Sequence, residues 1–99
     1  MARIYCVYMM TNWKNTVLYT SVTNSLARRV HEHKAKIDPR SFTSRYNVNK
    51  LVYVEAFDYI QDAIAREKHI KKGPRRRKEQ LIDNMNPEWK DLSNDIVSW

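Results

Sequence analysis

Apolar and polar positions along the chain separate into three runs with strand periodicity and three with helical periodicity. Arg3–Thr11 (RIYCVYMMT) is β-branched, aromatic and apolar at both alternating sets of positions, as a central strand covered on two faces would be. Asn12-Trp13-Lys14-Asn15 is a turn cluster, and Thr16–Thr23 (TVLYTSVT) reads as a second strand. A loop confined to residues 12–15 pairs Thr11 with Thr16. That register sets Tyr8 directly opposite Tyr19 and Cys6 opposite Ser21, all on one face.

Asn24 is a suitable N-cap for a helix from Ser25 to about Lys36. Leu26, Val30 and Ile37 form its apolar stripe. At roughly 100° per residue, Arg29 and His33 fall one turn apart on the stripe's edge, while Arg28, Glu32 and Lys36 turn toward water. Residues 38–47 (DPRSFTSRYN) read as a basic, aromatic, hydroxyl-rich loop, and Lys50–Phe57 (KLVYVEAF) as a third strand. Asp58-Tyr59-Ile60-Gln61 has the form of a capping box opening a helix that ends at Gly73, with Ile60, Ala63, Ile64 and Ile70 outlining its buried face. Glu67 lies inside that stripe, where a carboxylate without a metal, cation or hydrogen-bond network would be costly. Pro74 suits the first turn of a further helix with Leu81, Ile82 and Met85 on its apolar side. Asn86-Pro87 stops that helix, and Trp89, Leu92 and Ile96 suggest a tail packed back on the body. The order β-β-α-β-α-α predicts an α+β fold: a three-stranded antiparallel sheet flanked by helices, one domain with a core over about 3–85 and a packed tail over 86–99.

At 99 residues the chain can bury roughly 60 to 70% of its unfolded surface. Hydrophobic residues make up 42%, too many for a disordered chain. No apolar run approaches the roughly 18 residues of a membrane span. Met1–Tyr5 lacks signal-peptide features, and the single cysteine, Cys6, excludes an internal disulfide, so a reduced cytoplasmic setting with no membrane partner is expected. The formal net charge of +7 is unevenly spread. Arg66–Lys78 holds eight basic residues against Glu67, whereas five acids face one base from Glu79 onward. Such a stripe points to nucleic acid, because each neutralised phosphate releases counterions. Arg28, Arg45, Lys68, Lys71, Lys72, Arg75, Arg76 and Arg77 are the candidate contacts; a solvated helix face is the alternative.

With this order of elements, the chain resembles the GIY-YIG nuclease superfamily, especially its small, stand-alone bacterial members. Cys6-Val7-Tyr8 and Tyr19-Thr20-Ser21 stand at the two triplets, and Leu26–His33 is similar to the family's Arg-containing helix. Residues 42–47, Ala63–Lys72 and 86–92 resemble its later blocks. The resemblance implies metal-dependent hydrolysis of DNA phosphodiesters, in repair or processing, with one Mg²⁺ or Mn²⁺. It also implies a catalytic set of Tyr8, Tyr19, Arg29, His33 and Glu67, Glu67 being the metal ligand. In that scheme the cation polarises the phosphate, Arg29 offsets charge on the phosphoryl oxygens, and a tyrosine, by family analogy Tyr8, orients or deprotonates water. His33 would hold Tyr19 or the phosphate.

Each residue also has a structural alternative. The tyrosines can be a cross-strand pair, Arg29 a rim salt bridge, His33 a satisfied interior histidine, and Glu67 the partner of Arg29. His31 and His33 diverge on a helix, and His69 faces solvent. Both triplets lack their glycine. Ser21 stands on the tyrosine face, where a glycine would leave room, and would be strained if that position required positive φ. A catalytically weak or inactive nucleic-acid-binding module of the same fold is the competing reading. An interaction domain using Trp89 and Trp99 is a third. Oligomeric state is not legible.

Overall fold

The computed structural model describes residues 4–96 and 99; the expected strand start at Arg3 lies outside them. Its elements are β1 (Tyr5–Thr11), β2 (Leu18–Thr23), α1 (Leu26–Lys34), α2 (Phe42–Arg45), β3 (Lys50–Phe57), α3 (Ile60–Lys72) and α4 (Arg75–Met85), then a 3₁₀ turn over Ser93–Ile96. The sheet runs β2-β1-β3 with both pairings antiparallel, so the fold is α+β in the expected order. The central strand β1 is apolar on both alternations because both its faces are covered. Cys6, Tyr8 and Met10 pack with Leu26, Val30, Val48, Leu51, Val54 and Ile96. Val7 and Met9 pack on the opposite face with Val52, Tyr53, Ala63, Ile70 and Ile82. A bulge lets both faces fill: Met9 opposes Tyr53 but Met10 opposes Leu51, and the extra residue, Val52, joins Tyr53 in the second cluster. Helix α1 therefore covers one side of the sheet and α3 with α4 the other.

The hairpin register differs from the expected one by two residues. Tyr8 opposes Ser21, Met10 opposes Tyr19, and Cys6 opposes Thr23. The cause is a longer loop organised by Asn12. Its Oδ1 accepts from the backbone N–H of Thr16 (2.8 Å) and Val17 (3.3 Å), and its Nδ2 donates to Thr16 Oγ1 (2.7 Å). Asn15 turns the chain at φ 57°, and Arg75 donates to the carbonyls of Thr16 (2.7 Å) and Asn15 (2.8 Å). Thr16 and Val17 thus belong to the loop. A two-residue shift preserves side-chain parity, so Tyr8 and Tyr19 still share a face, now diagonally.

Other boundaries move for local reasons. Ser25, not Asn24, caps α1, with its N–H on Thr23 Oγ1 (3.0 Å). The helix stops at Lys34 because Lys36 adopts φ 52° in a Schellman arrangement, with Ile37 N–H on Glu32 O (3.2 Å) and Lys36 N–H on His33 O (3.2 Å). Ile37 is consequently exposed rather than part of the stripe. The capping box at Asp58 does not form: Tyr59 is the N-cap and has no side-chain cap bond. Only Ala63 and Ile70 of the expected α3 stripe are buried, while Ile60 and Ile64 are exposed. Met85 is likewise exposed, leaving Ile82 as the buried residue of α4. Residues 38–47 contain the short helix α2, whose N-cap Ser41 accepts from Ser44 N–H; four residues are too few to show a period. The tail returns to β3 through Leu92 N–H on Leu51 O (2.8 Å) and Asp91 Oδ1 on Leu51 N–H (3.2 Å), which places Ile96 in the α1-side core.

Candidate active site

Four of the five residues expected in the site come together between β1, β2 and α1. The rings of Tyr8 and Tyr19 lie 6.3 Å apart, and His33 is 6.0 Å from Tyr8 and 5.3 Å from Tyr19. Tyr8 is fully buried, and its hydroxyl is 2.9 Å from His33 Nε2. Tyr19, Arg29, Glu32 and His33 line an open cleft of about 340 Å³, closed on its far side by Ser41, Phe42 and Thr43. Tyr19 is thus the phenol that faces a ligand, whereas Tyr8 stands behind the cleft wall.

The hydrogen bonds behind His33 run in one direction. Ser44 Oγ donates to the carbonyl of Asp38 (2.7 Å), which commits its only proton. Ser44 Oγ therefore accepts from Ser41 Oγ (3.1 Å), committing that proton in turn. The contact between Ser41 Oγ and Thr43 Oγ1 (3.2 Å) must then be donated by Thr43. Thr43 Oγ1, 2.9 Å from His33 Nδ1, is left as the acceptor. His33 accordingly carries its proton on Nδ1, and its Nε2 lone pair accepts from Tyr8. Burial, reinforced by the Arg29 charge, lowers the His33 pKa from its ordinary value and keeps the ring neutral. Burial, followed by the proximity of Tyr19, raises the Tyr8 pKa, while Ser21 and Arg29 offset part of the rise. Both groups are neutral near pH 7, consistent with a phenol donating to an imidazole.

Arg29 pairs with Glu32 at 2.9 Å, not with Glu67. Glu32, expected to face water, lines the cleft, and Thr43 and Ser41 were also missed. Their signal was the hydroxyl-rich 41–44 segment, whose distance in sequence from His33 hid the contact. Ser21 has no positive φ, so it replaces glycine without backbone strain. It lies directly across from Tyr8. His31 is exposed where His33 is buried, as expected of positions two apart on a helix.

Glu67 is placed differently. Helix α3 covers the opposite sheet face from α1, and Glu67 does not line the Arg29 cleft. Its side chain is 16% exposed, with Oε1 3.6 Å from Lys71 Nζ. Its partner Lys71 lines a second cleft with Tyr19 and Phe42, next to the edge strand β2. Among the described residues no three His, Cys, Asp or Glu side chains cluster to hold a metal. A lone carboxylate still fits a Mg²⁺ that keeps most of its waters and takes its remaining ligands from phosphate.

Of the expected phosphate contacts, Arg75 is committed to the hairpin loop and to Glu79 (3.2 Å), and Lys71 faces Glu67. Arg28 lies 3.7 Å from Glu32. Arg45 sits over the Tyr46 ring at 5.9 Å. Lys68, Lys72, Arg76 and Arg77 are exposed and make no ion pair among the described residues. No helix among the described residues is long and apolar enough to cross a membrane.

Known proteins share the sequence pattern and the fold of this chain. Residues 4–80 match the GIY-YIG catalytic domain. A UPF0213 protein of Clostridium perfringens is 35% identical over 84% of this chain and 88% of its own length. A UPF0213 protein of Natronomonas pharaonis is 38% identical over 83% of this chain and 94% of its own. The relatives are therefore archaeal as well as bacterial. The solution NMR structure of a UPF0213 protein from Bacillus halodurans superposes with a TM-score of 0.57 at 26% identity, covering 90% of this chain and 93% of that one. The matched domain is that of a nuclease family that handles nucleic acid, generally with a divalent metal. The chain belongs to the GIY-YIG family.

Proposed function

We propose that this protein is an endonuclease that hydrolyses DNA phosphodiester bonds with one divalent cation, in DNA repair or processing. The observation that carries the reading is the convergence of Tyr19, Arg29 and His33 on one open cleft, with Tyr8 hydrogen-bonded behind it. Arg29, with 39% of its side chain exposed, meets charge developing on the phosphoryl oxygens. Tyr19 orients the attacking water, a role the resemblance gave to Tyr8; the buried Tyr8 instead holds His33 through Nε2. His33 in turn sets the edge of its ring against Tyr19 at 67°. Glu67 would hold the cation, Mg²⁺ or Mn²⁺. When bound, it supplies positive charge to the phosphate and the leaving 3′-oxygen. Lys68, Lys72, Arg76 and Arg77 offer the uncommitted charge for flanking phosphates.

The test is Mg²⁺- or Mn²⁺-dependent nicking of plasmid, branched and single-stranded DNA by wild type, Arg29→Ala and Glu67→Ala. Loss of cleavage in both variants is the expected result; cleavage unaffected by Glu67→Ala removes the metal role from that residue. A second reading, a nucleic-acid-binding module with weak or no catalysis, is favoured by one observation: Arg29 and Glu67 each already face an opposite charge, Glu32 and Lys71. Salt-sensitive binding with no cleavage under either metal would establish it.

A further inference from the structure

We propose that the exposed rings of Phe42 and Tyr46 form a stacking platform for an unpaired base beside the phosphate cleft, so that the preferred ligand is single-stranded or locally unpaired nucleic acid. The proposal rests on the reading of the Arg29 cleft as a phosphate site and adds the form of the substrate. Phe42 is 45% exposed and Tyr46 46% exposed, unusual for two aromatic residues that touch at 4.7 Å between centroids. Phe42 also stacks on Tyr19 at 6.1 Å and 24°, which ties the platform to the cleft. Arg45 over the Tyr46 ring adds a cation at its outer end.

Phe42 divides two clefts. On one side lies the cleft with Arg29 and His33. On the other lies a cleft of about 270 Å³ walled by Leu18, Thr20, Lys71 and Lys78, which also shares Tyr19. Thr20 is 5% exposed, and its hydroxyl makes no hydrogen bond among the described residues. A phosphate at Arg29 and the next one near Lys71 and Lys78 would carry the strand past Phe42. An aromatic face flanked by cations is the usual means of holding a single strand. Within a duplex each base face is covered by its neighbours, so only an unpaired or extruded base can lie on the Phe42 ring.

The experiment measures binding without metal, where no cleavage intervenes. Fluorescence anisotropy compares a labelled single-stranded oligonucleotide with the same sequence as a blunt duplex, for wild type, Phe42→Leu and Tyr46→Ser. The leucine keeps apolar bulk but removes the ring. Wild type should prefer the single strand, and Phe42→Leu should weaken that binding roughly 5- to 100-fold per lost stack while changing duplex binding less than about twofold. A 2-aminopurine placed along the strand should be quenched by wild type and not by Phe42→Leu. Equal loss on both forms, no wild-type preference, or no binding to either would overturn the platform. The nuclease reading fails separately: cleavage surviving Glu67→Ala and Arg29→Ala leaves this binding difference intact, and cleavage without the difference removes only the platform.

Discussion

Thr43→Val is the perturbation that best tests how the site is wired. Thr43 is 2% exposed, and valine reproduces its shape, so packing is retained while the hydroxyl disappears. The hydroxyl both accepts from His33 Nδ1–H and donates to Ser41. Its loss leaves a buried ring N–H without a partner, a penalty of about 1–3 kcal/mol. With a urea slope of about 1–3 kcal/mol/M for a protein this small, the unfolding midpoint should fall by roughly 1 M. Long-range ¹H–¹⁵N correlation of the imidazole reads the proton position directly. In wild type at pH 7.5, His33 should be neutral and protonated on Nδ1. In the variant the two tautomers should mix, with lowered cleavage. A wild-type ring protonated on Nε2, or doubly protonated at that pH, would refute the directional argument, as would a variant with unchanged stability and tautomer. The same group sets a pH dependence. Because its folded pKa lies below the unfolded value near 6.5, the unfolded state binds more protons in between. The stability contribution is complete above about pH 6.5 and declines as pH falls from there toward the folded value.

Four further outcomes are expected. Ser21→Gly should relieve no strain, since φ there is not positive, and should destabilise the protein by about 0.5–1 kcal/mol in denaturant titration; a stabilised variant would contradict the backbone geometry. Arg75→Ala should loosen the hairpin loop, lowering stability by about 1 kcal/mol, with little change in the salt dependence of nucleic-acid binding. Lys72→Ala and Arg76→Ala should instead each reduce the salt slope by about 0.7–0.9 while leaving stability unchanged, and the reverse pattern would exchange the roles assigned to these basic residues. Glu32→Gln should free Arg29 and tighten oligonucleotide binding several-fold at low salt, an increase that added salt suppresses; unchanged affinity would mean that Arg29 does not meet phosphate.

The order of elements was legible because strand and helix leave different hydrophobic periods, and β1, apolar on both alternations, declared itself the covered central strand. Parity made the shared face of Tyr8 and Tyr19 equally legible: a register error of two residues cannot move a side chain to the other face. Helical phase likewise brought Arg29 and His33 toward the tyrosines. The basic stripe was visible as charge, but not the fact that Arg75 spends its guanidinium on the hairpin loop.

Tertiary structure decided what local periodicity does not encode. Asn12 and Arg75 lengthened the hairpin loop and so put Ser21, rather than Tyr19, across from Tyr8. Thr43, carried by a four-residue helix, joined His33 across the intervening turn and loop, which gave the imidazole a direction. Packing of Ala63 and Ile70 on the far face set Glu67 beside Lys71 instead of Arg29. The sequence by itself determined which residues could form a site, because residue type and face follow from chemistry and local period. Which of them meet, and which phenol faces the cleft, depended on contacts between segments far apart in the chain, whose geometry exists only once both faces of the sheet are packed.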